Sequence, residues 1–264
     1  MKIYNVAIIG TGRIVKTHVN ALMQSKGFSI AGIYGGDPKW TAQVARNFNI
    51  RPFKDLRDIL EDPSISVVDI AASSAMHAEY GIKALKSGKH VIIEKPLDAS
   101  LERAIALVEA ADAAQRLAAV IYQHRFDESA LIVKDLISAG AFGRIYGGSI
   151  VWRQRRDVDY YAGAIQHHRG VLINNAIHFI DLAIWMVGKT PICFKAELES
   201  TRPCIVVEDR ALVKLDFGCS IKFTIDTITN VPSGEPTRME FKGERGSIAF
   251  SGKRLEASTI ALNL

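Results

Sequence analysis

The chain has 264 residues, 48% hydrophobic and 23% charged, enough for one large domain or two medium ones with real cores. Its net charge of +5 is spread over both halves without a basic tail or stripe, which argues against nucleic acid as a partner, and no apolar run approaches a membrane span. Cys193, Cys204 and Cys219 lack metal-ligand spacing and each sits in an apolar run, so buried, reduced thiols, no metal centre and a cytoplasmic location without a signal peptide are expected.

Residues 3–9 read as a strand buried on both faces, and an unbroken apolar stretch from Val6 runs straight into Gly10 and Gly12 and then into a helical pattern over about 14–24. A nucleotide phosphate site begins in this way. The glycines let the backbone turn tightly and lie close to a pyrophosphate, and the helix N-terminus favours an anion. Arg13, a cation in the first helical turn, opposes the helix dipole by roughly 0.3–1 kcal/mol unless an anion meets it. Gly10, Gly12, Arg13 and Ile14 are therefore candidate cofactor contacts, although Val15 stands where the dinucleotide fingerprint prefers Gly or Ala. A plain strand-glycine-helix turn is the other reading.

Strand and helix patterns continue to alternate, with strands over 29–34, 67–71, 90–93 and 118–122 and helices over 40–48, 56–61, 77–87 and 101–115. Such alternation gives a parallel doubly wound sheet that takes its ligands at the carboxyl ends of the strands. At the end of the second strand, where an acidic residue normally meets the adenosine ribose, stands Gly35. With Arg13 and Lys39 nearby, a 2′-phosphate meets less repulsion there, which leans toward NADP, while Asp37 keeps NAD open. Ser73, Ser74 and His77 follow the third strand as candidates for the nicotinamide ribose, with Ser74 as a mere helix cap equally open. Glu94-Lys95-Pro96 follows the fourth strand: proline cannot continue the ladder, so the chain leaves the sheet at its carboxyl edge with Lys95 directed at the crevice. An ordinary surface lysine is the alternative.

After Gln123 the texture changes. A helix over 129–139, a strand over 144–156 and a helix over 172–186 precede runs rich in Val, Ile, Phe and Thr, broken at Pro203, Gly218, Pro232, Gly243 and Gly252, which read as an antiparallel sheet. The expected domains are thus 1–123 and 124–264. A two-residue strand period puts Arg153 and Arg155 on one face and Trp152 with Arg156 on the other, with Tyr160 and Tyr161 following. Aromatics beside arginines suit a polyhydroxylated ring or a sugar phosphate, and a solvated strand edge is the competing reading. Asn174 and His178, four apart in a helical pattern, share a face.

Gly88-Lys89-His90-Val91-Ile92-Ile93-Glu94-Lys95-Pro96-Leu97, read after the glycine turn, resembles the signature of the Gfo/Idh/MocA oxidoreductases. The resemblance extends through 123–126, 140–145 and 170–182 and covers nearly the whole chain in order. It implies a Rossmann domain carrying NAD or NADP, followed by an α+β substrate domain with an open, mostly antiparallel sheet. It implies that Lys95 orients a substrate hydroxyl and takes part in proton transfer, that Glu94 lies at the cofactor, and that His178 is the general base, a role an imidazole fits near neutrality. Many members carry Asp where this chain has Asn174, which can orient a hydroxyl but cannot relay a proton. Arg125, Arg153, Arg155 and Tyr161 are expected to border the pocket, with bulky residues 166–169 narrowing it. Members usually continue beyond the strand matching 246–251, and either that part is dispensable or a partner subunit buries the apolar surface it would cover; the exposed face of the open sheet adds to the expectation of a homodimer or homotetramer through the C-terminal sheet. The activity implied is hydride transfer between nicotinamide and a secondary hydroxyl of a sugar, polyol or nucleotide sugar. A catalytically silent NAD(P)-binding regulatory protein is the alternative.

Overall fold

A computed structural model describes residues 2–157, 159–161, 170–251 and 254–259, so the expectation on 166–169 lies outside the described residues. The chain divides into two compact units, Met1–Ile121 and Tyr122–Leu264.

In the first unit, β1 (Tyr4–Ile9), β2 (Phe28–Tyr34), β3 (Val67–Ile70), β4 (His90–Ile93) and β5 (Ala118–Val120) form a parallel sheet in the order β2-β1-β3-β4-β5. Alternate side chains of each strand feed two cores. Val6, Ile8 and Val67 pack with Val15, Val19 and Leu22 of α1 (Val15–Gln24) and Val44 of α2 (Pro38–Phe48). Ala7, Ile9, Val68, Ile70 and Ile93 pack with Ala78 and Leu85 of α4 (His77–Lys86) and Leu107 of α5 (Leu101–Ala114), while a short α3 (Arg57–Leu60) adds Ile59. Both faces of the central strands are covered, so β1, β3 and β4 are mostly apolar, as the sequence predicts. The strand order reverses at β1, so a crevice opens between the carboxyl ends of β1 and β3, where ligands bind in doubly wound sheets.

The second unit carries α6 (Glu128–Ser138), β6 (Ile145–Arg153), a π turn over Leu172–Ala176, α7 (Ile177–Val187), β7 (Cys193–Glu199), β8 (Arg210–Asp216), β9 (Lys222–Ile228), β10 (Arg238–Gly243), β11 (Gly246–Ser251) and β12 (Arg254–Thr259). The sheet order is β12-β11-β10-β6-β9-β8-β7, antiparallel except for the β6–β9 pair. One face packs Ile150, Trp152, Val213, Phe223, Ile225 and Phe241 against Val133, Phe179, Leu182 and Met186 of the helices. The other face is charged and largely self-satisfied: Lys214 pairs with Glu197 at 3.1 Å and Arg210 with Glu199 at 3.4 Å.

Three local expectations are corrected. The strand expected over 144–156 ends at Arg153, so the two-residue alternation does not reach Arg155 and Arg156. The helix over 172–186 opens with a π turn because its start is tied to a neighbouring loop: the amides of Val171 and Leu172 donate to the main-chain and side-chain oxygens of Glu208. The cysteines are exposed rather than buried, since β7 is an edge strand that no helix covers and Cys204 and Cys219 lie in turns.

Candidate active site

The glycine turn at the end of β1 is built for close approach. Gly10 has φ +126°, and a Cβ there would lie 2.3 Å from the carbonyl oxygen of Ala71, so only glycine lets β1 pass the loop after β3. Gly12 faces open space, with nothing within 4 Å of a Cβ built on it. No side chain caps α1, whose positive dipole end lies beside the open face of Gly12, although the amides of Val15 and Thr17 already donate to the carbonyls of Gly12 and Ile14. Arg13 and Ile14 are both exposed there, and a mostly apolar groove of about 320 Å³ between α1 and α2, lined by Val15, Val44 and Phe48 as well as Gly12, Arg13 and Trp40, opens alongside. The cradle at Gly12 fits the pyrophosphate of a dinucleotide.

At the end of β2, a Cβ on Gly35 would meet Thr41 Oγ1 at 2.6 Å and Thr11 Cγ2 at 2.7 Å, which explains why no acidic side chain stands at that position. Asp37 is engaged elsewhere, since its Oδ1 accepts the amides of Lys39 (2.8 Å) and Trp40 (3.0 Å) as the N-cap of α2. Lys39 is exposed in the first turn of that helix. Ser73 is exposed after β3, whereas Ser74 is buried and caps nothing through its side chain. The α4 amide of Ala78 is capped instead by Asp98, 3.0 Å away and twenty residues on in the chain. His77 is fully buried between the carbonyls of Pro96 (2.8 Å) and Ala72 (3.1 Å), so it joins the loops after β3 and β4 rather than facing the crevice.

The Lys95–Pro96 peptide is cis. Glu94 is held at both oxygens: Oε2 accepts the Lys95 amide at 3.0 Å, and Oε1 lies 3.2 Å from Nε2 of His18. Nδ1 of His18 lies 2.8 Å from Oδ2 of Asp69, a carboxylate inside β3. Burial alone disfavours an imidazolium, but the hydrogen bonds to Asp69 and then Glu94 outweigh it and lift the His18 pKa to about 9. In Glu94, burial pushes the carboxyl pKa up, and the hydrogen bond and charge of His18 more than reverse it, so Glu94 ends below the usual carboxylate range. Sequence reasoning alone misses His18 and Asp69. An Asp within the apolar run 67–70 is the available signal, since a carboxylate on a strand covered on both faces requires a partner.

In the second unit, His178 is buried near the start of α7, with Tyr122 edge-on at 6.3 Å and His124 edge-on at 5.4 Å. His124 is oriented by Asp127, 2.8 Å from its Nδ1, and stacks on Phe179. Asn174 lies in the π turn, so the four-residue spacing to His178 is not that of a regular α-helix. Arg125 donates from Nε to Asp181 at 2.7 Å and again from Nη2, a bidentate pair that ties the segment after β5 to α7 and employs its fork inside the protein. Arg153 sits 3.7 Å from Glu235, and Arg155 lies 3.5 Å from Asp157 and donates to the Pro232 carbonyl. Tyr161 is 1% exposed, its hydroxyl against Thr229 and its ring packed with Ile205 and Val207, so it belongs to a small core rather than an open face.

The sequence matches the family model described as "Oxidoreductase family, NAD-binding Rossmann fold" over residues 4–122 and that of the "GFO/IDH/MocA C-terminal domain" over residues 131–249. The chain belongs to the GFO/IDH/MocA oxidoreductase family. It is 30% identical over 263 residues to scyllo-inositol 2-dehydrogenase (NAD(+)) of Bacillus subtilis (strain 168), covering 96% of this chain and 75% of that one. Among solved structures it resembles the WlbA dehydrogenase of Bordetella pertussis in complex with NADH and UDP-GlcNAcA, with a TM-score of 0.90 and 25% identity over 98% of this chain and 78% of that one. Levoglucosan dehydrogenase in complex with NADH and levoglucosan gives a TM-score of 0.88 and 27% identity over 98% of this chain and 77% of that one. Among the described residues no helix is long and apolar enough to cross a membrane, and no cluster of His, Cys, Asp and Glu could hold a metal ion.

Proposed function

We propose that this protein oxidises a secondary hydroxyl of a sugar, polyol or nucleotide sugar, with Lys95 and His178 handling the hydroxyl proton. The observation that carries the reading is the cradle at the carboxyl end of β1, where Gly10 leaves no room for a side chain and Gly12 leaves room for a ligand, at the same edge of the sheet as β4, which Glu94-Lys95 follows with only β3 between. Bound nicotinamide supplies the hydride acceptor. Gly10, Gly12 and Ile14 hold the pyrophosphate, Ser73 reaches the ribose, and Lys95 orients the substrate hydroxyl and lowers the cost of its deprotonation. His178 receives the proton, kept in place by Tyr122 and His124, while Asn174 orients the same hydroxyl. Arg153 and Arg155, half-buried and exposed respectively, recognise the remote part of the substrate in this reading, exchanging their contacts with Glu235 and Asp157 for it.

The absence of a carboxylate at Gly35 and the engagement of Asp37 as a helix cap support NADP(H) binding at least as tight as NAD(H), with Arg13 and Lys39 available to the 2′-phosphate. The β7 edge, where Phe194 is 74% exposed, supports self-association through the sheet of the second unit. Turnover is tested with purified protein, NAD or NADP, and a panel of inositols, anhydrosugars and nucleotide sugars, followed by the absorbance of reduced nicotinamide. Reduction with at least one of them is expected. Tight dinucleotide binding with no turnover of any compound would replace the reading with that of a silent binding protein.

A further inference from the structure

His18 occupies the buried face of α1 among Val15, Val19 and Leu22, where an apolar side chain would pack without desolvation cost. Instead it forms a three-membered ionic cluster whose partners come from two other elements, Asp69 in β3 and Glu94 at the end of β4. A buried ion cluster is weak evidence for stability, because apolar residues of similar volume often serve as well. The cluster does something an apolar trio cannot. Both ring nitrogens of His18 face carboxylates, so the imidazolium donates to Asp69 on one side and to Glu94 on the other. Glu94 then turns its second oxygen to the main-chain amide of Lys95. These contacts form a continuous path from the helix of the glycine turn to the peptide that carries Lys95.

We propose that His18 is a positioning residue: clamped by Asp69, it holds the Glu94 carboxylate in place to receive the Lys95 amide, and thereby fixes Lys95 at the carboxyl edge of the sheet. This inference rests on the reading of Lys95 given above. The charged groups facing His18 are Asp69 and Glu94, with Lys95 beyond Glu94. The same segment is anchored from its other end by His77 on the Pro96 carbonyl. With both anchors made, the main chain on each side of Lys95 is tied down, and its ammonium is presented by a peptide that cannot shift. Loss of His18 frees the Glu94 carboxylate to turn toward water and leaves the Lys95 amide without its acceptor.

The test uses the full chain without cofactor and reads amide hydrogen exchange at Lys95 by NMR, alongside Ile8 and Val68 as reporters of the sheet. His18→Asn preserves the reach toward Asp69 but not toward Glu94, whereas His18→Gln preserves a donor toward Glu94. In His18→Asn the Lys95 amide should exchange about tenfold faster while Ile8 and Val68 keep their protection, and His18→Gln should restore part of the difference. Glu94→Ala, which removes the acceptor itself, should give the same local increase if the histidine substitution disturbs folding. With a turned-over substrate in hand, His18→Asn should lower kcat about tenfold with KM for the dinucleotide little changed. Unchanged exchange at Lys95, or an increase shared equally by Ile8 and Val68, would overturn the proposal. Full turnover by Lys95→Ala would instead overturn the catalytic reading of Lys95 while leaving the exchange result to stand for the positioning path.

Discussion

His124 and His178 meet edge to face with ring centroids 5.4 Å apart, and Phe179 stacks on the His124 ring at 5.5 Å. Asp127 fixes the other side of His124, so His178 packs against a ring that is itself oriented from the surface. In the proposed role of base, His178 should act on turnover and leave dinucleotide binding alone. His178→Ala is expected to lower kcat by about 10²–10⁴-fold while NADH affinity, read by fluorescence titration, stays within about twofold. His124→Ala, which removes only the packing neighbour, should cost less. A His178→Ala enzyme with most of its turnover would show that the proton is taken elsewhere.

The proposed NADP(H) preference rests on crowding at the end of β2. Thr11 and Thr41 fill the space a side chain at Gly35 would need, and Arg13 stands exposed at the start of α1. Arg13→Ala should therefore weaken NADPH several-fold more than NADH, because an arginine-phosphate hydrogen bond is charge-assisted and the ribose hydroxyl offers no equivalent. Titrations of both cofactors against the variant decide this. Equal losses would place Arg13 at the shared pyrophosphate, and a clear NAD preference in the parent chain would end the NADP reading.

The start of the π turn depends on one glycine. A Cβ on Gly170 would lie 2.1 Å from the carboxylate carbon of Glu208 and 2.3 Å from its carbonyl oxygen, the groups that receive the amides of Leu172 and Val171. Gly170→Ala should destabilise the second unit by about 2–3 kcal/mol, since backbone as well as side chain must move. Urea unfolding followed by tryptophan fluorescence suits the measurement because Trp152 and Trp185 lie in that unit. An unchanged midpoint would mean that the loop yields at no cost.

What the sequence discloses and what it conceals differ for a physical reason. Apolar runs such as 6–9 and 91–93 lie on strands covered on both faces, and alternating runs such as 222–228 lie on a strand covered on one, so periodicity reads the layers directly. The glycine turn and the Glu94-Lys95-Pro96 string are local, and a local string carries its own geometry. The His18 cluster is not local: its two partners lie 51 and 76 residues away, and His18 alone looks like one polar interruption of an amphipathic helix. Ser74 reads as a possible cap for α4 while the cap comes from Asp98 in another loop, and Arg125 reads as a pocket residue while its fork closes on Asp181. The cysteines illustrate the reverse error, because an apolar run is buried only if another element covers it, and β7 lies at an open edge.

The same cluster makes stability depend on pH in a direction that can be worked out. The pKa of His18 rises from an ordinary value near 6.5 to about 9 on folding, so the folded chain holds this proton more tightly than the unfolded one. Its contribution is then complete below about pH 6.5 and declines as pH rises toward 9, by at most about 3 kcal/mol. Glu94 works in the opposite sense: its depressed pKa adds stability above the ordinary carboxylate range, and this is lost as acid protonates it. The chain should therefore be most stable between about pH 5 and 6.5 with respect to this cluster. Urea unfolding at about pH 6, 7.5 and 9 should show the parent chain losing stability over an interval in which His18→Asn stays nearly flat. Parallel curves for the two proteins would mean that His18 is not charged in the folded state, and the imidazolium bridging Asp69 to Glu94 would have to be abandoned.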